Sequence, residues 1–361
     1  MDHEDIREIR IDPIVPTQSV LVSTARGKRP RKAESPVPRD EREYVKACPF
    51  CRGNEHLTPP VSFQVPATGK WDIRIVENLY PILDDDPLPP GLPPGIQQAI
   101  EGYGHHEVII DHANHGITLH QMSNRHLALL LGVYRERMHS LYKTDARIRY
   151  ILVFKNFGKA AGGSMPHTHS QLIAMPIVPH NVQSELECSQ AYYHKTASCI
   201  YCTLIDEAMS LKTTIYDRRS GEKHQHYETA KYVVEQGKKF IAIKPFASRY
   251  EWEVHILPLK HRSDFLQATP EELEDFAWVL KRTMTRLAAV IGEVQYNYFL
   301  HTVPHINNSG DFARSFHWHI EICPRTSIPS GFEMGSGLFV NTVSPEAAAL
   351  KLQQALPGEI P

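Results

Sequence analysis

The sequence has no uninterrupted apolar stretch approaching the ~20 residues that a bilayer-spanning helix requires, which predicts no membrane partner. A charge bias is missing too. Its 39 basic and 41 acidic side chains leave a formal net charge of −2, so the totals carry no electrostatic footprint for nucleic acid. The opening residues, Met1-Asp2-His3-Glu4-Asp5-Ile6-Arg7, are charged where a secretory signal would have an apolar core. Together these absences predict a cytoplasmic protein. Cysteine is scarce, six in 361 residues, and four of the six form two Cys-x-x-Cys pairs, Cys48/Cys51 and Cys199/Cys202. In a reducing compartment that pattern serves metal binding or redox work rather than structural disulfides. Cys188 and Cys323 read as ordinary thiols, Cys323 as core filling.

Histidine is abundant, with 21 copies. Two of them lie in Gly162-Gly163-Ser164-Met165-Pro166-His167-Thr168-His169-Ser170-Gln171, between the apolar runs Tyr150-Ile151-Leu152-Val153-Phe154 and Leu172-Ile173-Ala174-Met175. This reads as strand, small-residue loop, strand. In an extended segment His167, His169 and Gln171 share one face while Thr168 and Ser170 take the other. The glycines let backbone N–H groups approach an anion, so the surface suits phosphate chemistry.

The order of features repeats. In the first half Cys-x-x-Cys is followed by the strand His106-Glu107-Val108-Ile109-Ile110, His115, a helix over Arg125 to Tyr142, a strand, a loop and His167-Thr168-His169. In the second, Cys199-Ile200-Tyr201-Cys202 is followed by Trp252-Glu253-Val254-His255-Ile256-Leu257 and His261. A helix from Thr269-Pro270-Glu271-Glu272 to about Ile291, the strand Tyr296-Asn297-Tyr298-Phe299-Leu300 and His317-Trp318-His319 come next. From Cys51 to His115 is 64 residues and from there to His167 is 52; from Cys202 to His261 is 59 and from there to His317 is 56. The expected fold is therefore α+β, a tandem duplication of one unit with mostly antiparallel sheets and flanking helices, divided into residues 1–185 and 186–361.

Each half offers the two thiolates and two imidazoles that tetrahedral Zn²⁺ prefers. The expected sets are Cys48, Cys51, His115 and His167, and Cys199, Cys202, His261 and His317, two structural zinc sites per chain. One isolated Cys-x-x-Cys would equally suit a thioredoxin-like redox pair; two copies with matching downstream histidines favour zinc. The remaining histidines, among them His105, His106, His112, His126 and His255, are expected at the surface or in ordinary hydrogen bonds.

A metal-held His167 would leave His169 free. A neutral imidazole can attack phosphorus to form a phosphoramidate, and Gln171 can hydrogen-bond phosphoryl oxygens without supplying a proton to a leaving group. The leaving group should therefore need no protonation, as with a sugar phosphate, which favours group transfer over hydrolysis. In the second half His319 and Glu321 occupy these positions, and a carboxylate there would repel phosphate. A zinc-stabilised binding module without turnover is the alternative from another class.

These residues, with Asn156 and Gly331-Phe332-Glu333-Met334-Gly335-Ser336-Gly337, resemble the bacterial galactose-1-phosphate uridylyltransferases of the histidine triad superfamily over nearly the whole chain. The resemblance implies a histidine-triad-like unit in each half. It also implies a double displacement in which His169 takes UMP from UDP-glucose, releases glucose 1-phosphate and passes UMP to galactose 1-phosphate. It implies that Arg26, Arg29, Asn156, Ser164 and Gln171 bind phosphates, that Asn78 contacts the nucleoside and Glu333 the hexose, and that the protein is a homodimer in which Glu333 serves the partner. Some members use a Glu and three His as an iron site, for which Glu185, His301, His317 and His319 stand nearest; Cys199 and Cys202 compete for His317 and favour the second zinc. Thr168 stands where the family usually has proline, Leu79 where some members carry an acidic base-reading residue, and Phe339 near the place of a hexose-reading glutamine. Plant ADP-glucose phosphorylases share both Cys-x-x-Cys pairs and imply the alternative reaction, adenylyl transfer to phosphate through the same histidine.

Overall fold

The computed structural model describes residues 5–28, 40–91, 95–210, 212–216, 223–227, 231–293, 295–306 and 312–355. Strands β1 (Arg7–Arg10) and β2 (Val20–Ser23) come first. The first half then runs β3 (Val61–Val65), β4 (Ile73–Glu77), β5 (His105–Ile110), α1 (Asn124–Thr144), β6 (Tyr150–Phe157) and β7 (His169–Met175). Helices α2 (His180–Thr196) and α3 (Ile200–Ser210) and the pair β8 (Lys212–Tyr216) and β9 (Lys223–Tyr227) follow. The second half repeats the first as β10 (Val233–Gln236), β11 (Phe240–Ile243), β12 (Val254–Pro258), α4 (Pro270–Ile291), β13 (Tyr296–His301) and β14 (His319–Pro324). Helix α5 (Gly331–Ser336), β15 (Phe339–Asn341) and α6 (Pro345–Ala355) complete the order. The division drawn at 185/186 runs through α2.

Both halves pool their strands in one ten-stranded sheet, in the order β10-β11-β12-β14-β13-β6-β7-β5-β4-β3. Every pairing in it is antiparallel. Gln171 pairs with Phe154 and Glu321 with Phe299, while Phe154 faces Phe299 where β6 meets β13, so the two halves are related across that pair. The expected α+β architecture with antiparallel strands and a repeated unit is the observed one. A separate three-stranded sheet joins β1, β2 and β15, the last parallel to β2.

Strand alternation assigns the two faces. Ile151, Val153, Leu172, Ala174, Ala242, Val254 and Ile256 point into one core beneath α1 and α4, and Tyr150, Ile241, Ile243 and Leu257 point the other way, into a core with α2 and α3. Helix α1 forms because Ser123 caps it, accepting from the His126 N–H at 3.1 Å, and because Leu127, Leu130, Leu131, Tyr134, Met138 and Leu141 recur at helical spacing and are all buried. Helix α4 has a Thr269–Glu272 capping box and Pro270 in its first turn. Its Phe276 stacks on Phe240 at 5.0 Å between ring centroids and meets Trp318 at 5.4 Å. His169 and Gln171 therefore lie on the face away from α1 and α4, with rigid packing behind them.

Phe276 is fully buried, so Phe276→Ala should cost about 3–5 kcal/mol through lost burial and a cavity. The expected outcome is a lower urea midpoint with an unchanged slope, measured by far-UV circular dichroism; a loss below about 1 kcal/mol would show that the aromatic cluster does not anchor α4 to the sheet.

Candidate active site and metal centres

Cys48 and Cys51 are carried on a turn and converge with His115, beyond the end of β5, and His167, just before β7. The ligand atoms of all four lie within 4.8 Å of one another. Cys51 Sγ is 3.5 Å from His115 Nδ1 and 3.6 Å from His167 Nδ1, and Cys48 Sγ is 3.6 Å from the latter. With metal–sulfur and metal–nitrogen bonds of about 2.3 and 2.0 Å, a tetrahedron has S···N edges of roughly 3.5 Å, so the donors fit an ion between them. His167 Nε2–H donates to the His112 carbonyl at 2.8 Å, which leaves the Nδ1 lone pair facing the sulfurs. His115 Nε2 lies 3.3 Å from the Asp40 carboxylate.

The second expected set is assembled in the same way. Cys199 precedes α3 and Cys202 lies in its first turn. Cys202 Sγ is 3.4 Å from His261 Nδ1 and 3.7 Å from His317 Nδ1. Their Nε2–H groups donate at 2.8 Å to the carbonyls of Ala313 and Pro258. His317 thus belongs with the cysteines, while Glu185, His301, His319 and Glu321 form a separate buried group.

His169 begins β7 and is 7 % exposed. Its Nδ1–H donates to the His167 carbonyl at 2.8 Å, so the lone pair lies on Nε2. The Phe50 ring stands edge-on at 5.3 Å between centroids. Burial, and after it the Lys155 ammonium, lower the pKa of His169, which keeps the imidazole neutral. Lys155 lies fully buried on the opposite face and donates to Asp111 Oδ2 at 2.5 Å, Thr168 Oγ1 at 2.8 Å and the His169 carbonyl at 2.8 Å. Ser170 adds a bond to the same Asp111 oxygen at 3.1 Å. Thr168 therefore faces away, as alternation predicts, and its hydroxyl ties the strand to a buried ion pair.

Gln171 Oε1 accepts from His106 Nε2 at 2.8 Å. Beyond β6, the loop over 158–163 turns sharply. Gly162 has φ 79°, and a Cβ on Gly163 would stand 2.8 Å from the Asn156 carbonyl, so the loop needs glycine at both positions. Asn156 Oδ1 accepts from Asn297 Nδ2 at 2.7 Å, and Ser164 is exposed at the loop's end. Asn78 Oδ1 accepts the Tyr80 N–H at 2.9 Å at the end of β4. Arg26 and Glu333 line a cavity of about 540 Å³ with Arg249, Arg325 and Phe339, and Ala160 joins that lining. His169 and Gln171 are not among its lining residues. Glu333 caps its own helix, accepting from Ser330 N at 2.9 Å and Ser330 Oγ at 3.0 Å. Arg29 lies outside the described residues. A larger groove of about 1400 Å³ beside Trp278 contains none of the expected site residues.

In the second half His319 repeats the bond, Nδ1–H to the His317 carbonyl at 3.0 Å, but its Nε2 is 3.5 Å from Glu321 and 3.8 Å from Glu185 of α2. Burial pushes the Glu321 carboxyl up, but the charges of Arg249 and His255 outweigh it and hold it well below the usual range. This copy is buried, and carboxylates stand beside its second histidine. Three residues around His169 and Gln171 were not expected there from the sequence. Asp111 and Lys155 form the ion pair behind His169, and His106 holds Gln171. A lysine inside the apolar strand Tyr150–Phe157 was the available sign of the first two.

Comparison with known proteins adds to this geometry. Residues 1–179 match the family model described as galactose-1-phosphate uridyl transferase, N-terminal domain. The chain is 33 % identical over 350 residues to an ADP-glucose phosphorylase of Arabidopsis thaliana, covering 96 % of this chain and 92 % of that one. It is 28 % identical over 354 residues to a galactose-1-phosphate uridylyltransferase of Thermotoga maritima, covering 96 % and 98 %. A crystal structure of an Arabidopsis thaliana ADP-glucose phosphorylase with bound ADP-glucose superposes with a TM-score of 0.80 at 29 % identity, covering 98 % of this chain and all of that one. The duplicated sheet, the two cysteine–histidine clusters and these likenesses along the whole chain lead to one conclusion: the protein belongs to the galactose-1-phosphate uridyl transferase family.

Proposed function

We propose that this family member transfers a nucleoside monophosphate from a nucleotide sugar through a covalent nucleotidyl-His169. The observation that carries the reading is the neutral imidazole whose Nδ1 proton is held by the His167 carbonyl, leaving Nε2 as the nucleophile. In the first step Nε2 attacks the α-phosphorus, a P–N bond forms, and the bond from phosphorus to the bridging oxygen breaks. Hexose 1-phosphate leaves as an anion that needs no proton. In the second step an acceptor phosphate oxygen attacks the same phosphorus and the P–N bond breaks. Gln171, Asn156, Ser164, Arg26 and Arg29 are proposed to bind phosphates, Asn78 the nucleoside and Glu333 the hexose. The homodimer implied by the resemblance is part of the proposal; exposed Ile328, Phe332 and Met334 around Glu333 supply an apolar surface for the partner.

Adenylyl transfer from ADP-glucose to inorganic phosphate is the donor and acceptor pair we favour. It is supported by the greater likeness to the Arabidopsis ADP-glucose phosphorylase, by Leu79 in place of an acidic base-reading residue, and by Phe339 near the place of a hexose-reading glutamine. Uridylyl transfer between UDP-glucose and galactose 1-phosphate is the second reading, supported by the family match and the Thermotoga relative. Incubation with either donor labelled in the α-phosphate separates them. Acid-labile, base-stable protein label from ADP-glucose alone supports the first, and label from UDP-glucose alone the second. Absence of label from both leaves a binding module. His169→Gly should remove labelling entirely while the circular dichroism spectrum stays unchanged; full turnover in that variant would overturn the mechanism.

Both Cys₂His₂ clusters are proposed to hold structural Zn²⁺, since all four donors are protein atoms and none is left for water. The expected metal content is one zinc per cluster, measured by inductively coupled plasma mass spectrometry. Cys48→Ser should reduce it by one equivalent and lower Tm. An unchanged content would contradict the first site.

A further inference from the structure

His106 lies one strand away from Gln171, with a role that the transfer chemistry above does not assign. Val108 of β5 pairs with Gln171 of β7 and His106 pairs with Ile173, so His106 and Gln171 are diagonal neighbours on one face. The Ile82 backbone N–H reaches His106 Nδ1 at 3.2 Å. A backbone N–H can only donate, so Nδ1 carries the lone pair and the ring proton is on Nε2. That proton goes to Gln171 Oε1 at 2.8 Å. Asn78 Nδ2 lies 3.1 Å from the same nitrogen, but its carboxamide oxygen is already turned to the Tyr80 N–H, so it meets His106 as donor to donor and does not compete for the bond.

We propose that His106 is a positioning residue: it holds the Gln171 carboxamide with its oxygen turned toward β5, so that the amide N–H groups face the phosphoryl group beside His169. A carboxamide has nearly the same shape in its two flipped orientations, and only one presents donors to an anion. The other would set an oxygen against phosphate oxygens. His106 is 8 % exposed, and burial lowers its pKa, the bond to Gln171 opposing the shift, so the ring stays neutral in a single tautomer. The second half supplies a contrast. There Glu253 stands two residues before His255, which pairs with Glu321, the position that corresponds to His106. Glu321 is a carboxylate with no amide to orient, and Glu253 bonds to Arg249 and His255 instead. The histidine accompanies the glutamine.

The inference rests on the transferase reading, and the experiment separates the two. The rate of label transfer from the α-labelled donor to His169 is measured in a single turnover for the wild type, His106→Leu, Gln171→Ala and the double variant. His106→Leu should lower the rate between roughly ten- and a hundredfold with metal content unchanged. In the Gln171→Ala background the same change should cost no more than about twofold, because its effect passes through the missing carboxamide. His106→Gln places an N–H near the ring Nε2 and should recover most of the rate, whereas the shorter His106→Asn should not. Should His106→Leu fail to fold, that last pair decides. A wild-type rate in His106→Leu, losses that multiply in the double variant, or equal rates for the Gln and Asn variants would overturn the proposal. A wild type that takes no label from either donor overturns the transferase reading, and this inference falls with it.

Discussion

The bond from His169 Nδ1–H to the carbonyl of His167 is the constraint on which the site depends. An imidazole has one proton and two nitrogens, and fixing the proton on one makes the other a nucleophile with a defined direction. The carbonyl that fixes it belongs to a residue that is itself immobilised, with Nδ1 turned to two thiols and Nε2–H to the His112 carbonyl. In the chemistry we propose, the cysteine–histidine cluster acts from two residues away. It holds the backbone of His167, and the His167 carbonyl holds the Nδ1 proton of His169, which leaves the lone pair on Nε2.

Behind the strand, a buried ion pair contributes on the other face. Lys155 reaches Asp111, Thr168 and the His169 carbonyl at once, so the peptide unit of His169 is held from both sides. Burial lowers the pKa of Lys155 from its ordinary value, the Asp111 charge opposing the shift. Removing either partner of such a pair strands the other charge in a low dielectric, which is why it is a rigid support. The second half keeps the framework and surrounds its second histidine with different side chains. The same His-x-His bond recurs at His317 and His319, yet Glu185 and Glu321 flank the His319 Nε2 and Arg249 pairs with Glu321. Helix α2, which supplies Glu185, covers this face in the second half.

Much of this was legible in the sequence, for identifiable reasons. The helices over 124–144 and 270–291 carry strong caps and a clear 3.6-residue apolar period, and the strand read over Tyr296 to Leu300 falls within β13. The two metal sets could be named because cysteine pairs are rare and their spacing to histidine recurs in both halves. Helices α2 and α3 were not legible: they pack on the second face through a few residues such as Val182, Leu186, Tyr201 and Ile205, without the long apolar stripe of α1. Joining of the halves into one sheet through β6 and β13 was equally hidden, since strand pairing across more than a hundred residues leaves no local pattern. His106 was read as an ordinary hydrogen-bonded histidine, and its partner became visible only once β5 lay beside β7. Asp111 was unmarked for the same reason.

One nitrogen, His169 Nε2, is the proposed point of attachment, and the covalent intermediate itself reports which nitrogen carries phosphorus. Protein carrying ¹⁵N-labelled histidine, mixed with the nucleotide sugar and trapped before the acceptor is added, can be examined by ³¹P–¹⁵N correlated NMR. The expected product is a single phosphoramidate on His169 Nε2, with Nδ1 still protonated. Attachment at Nδ1, or at any residue other than His169, would contradict it.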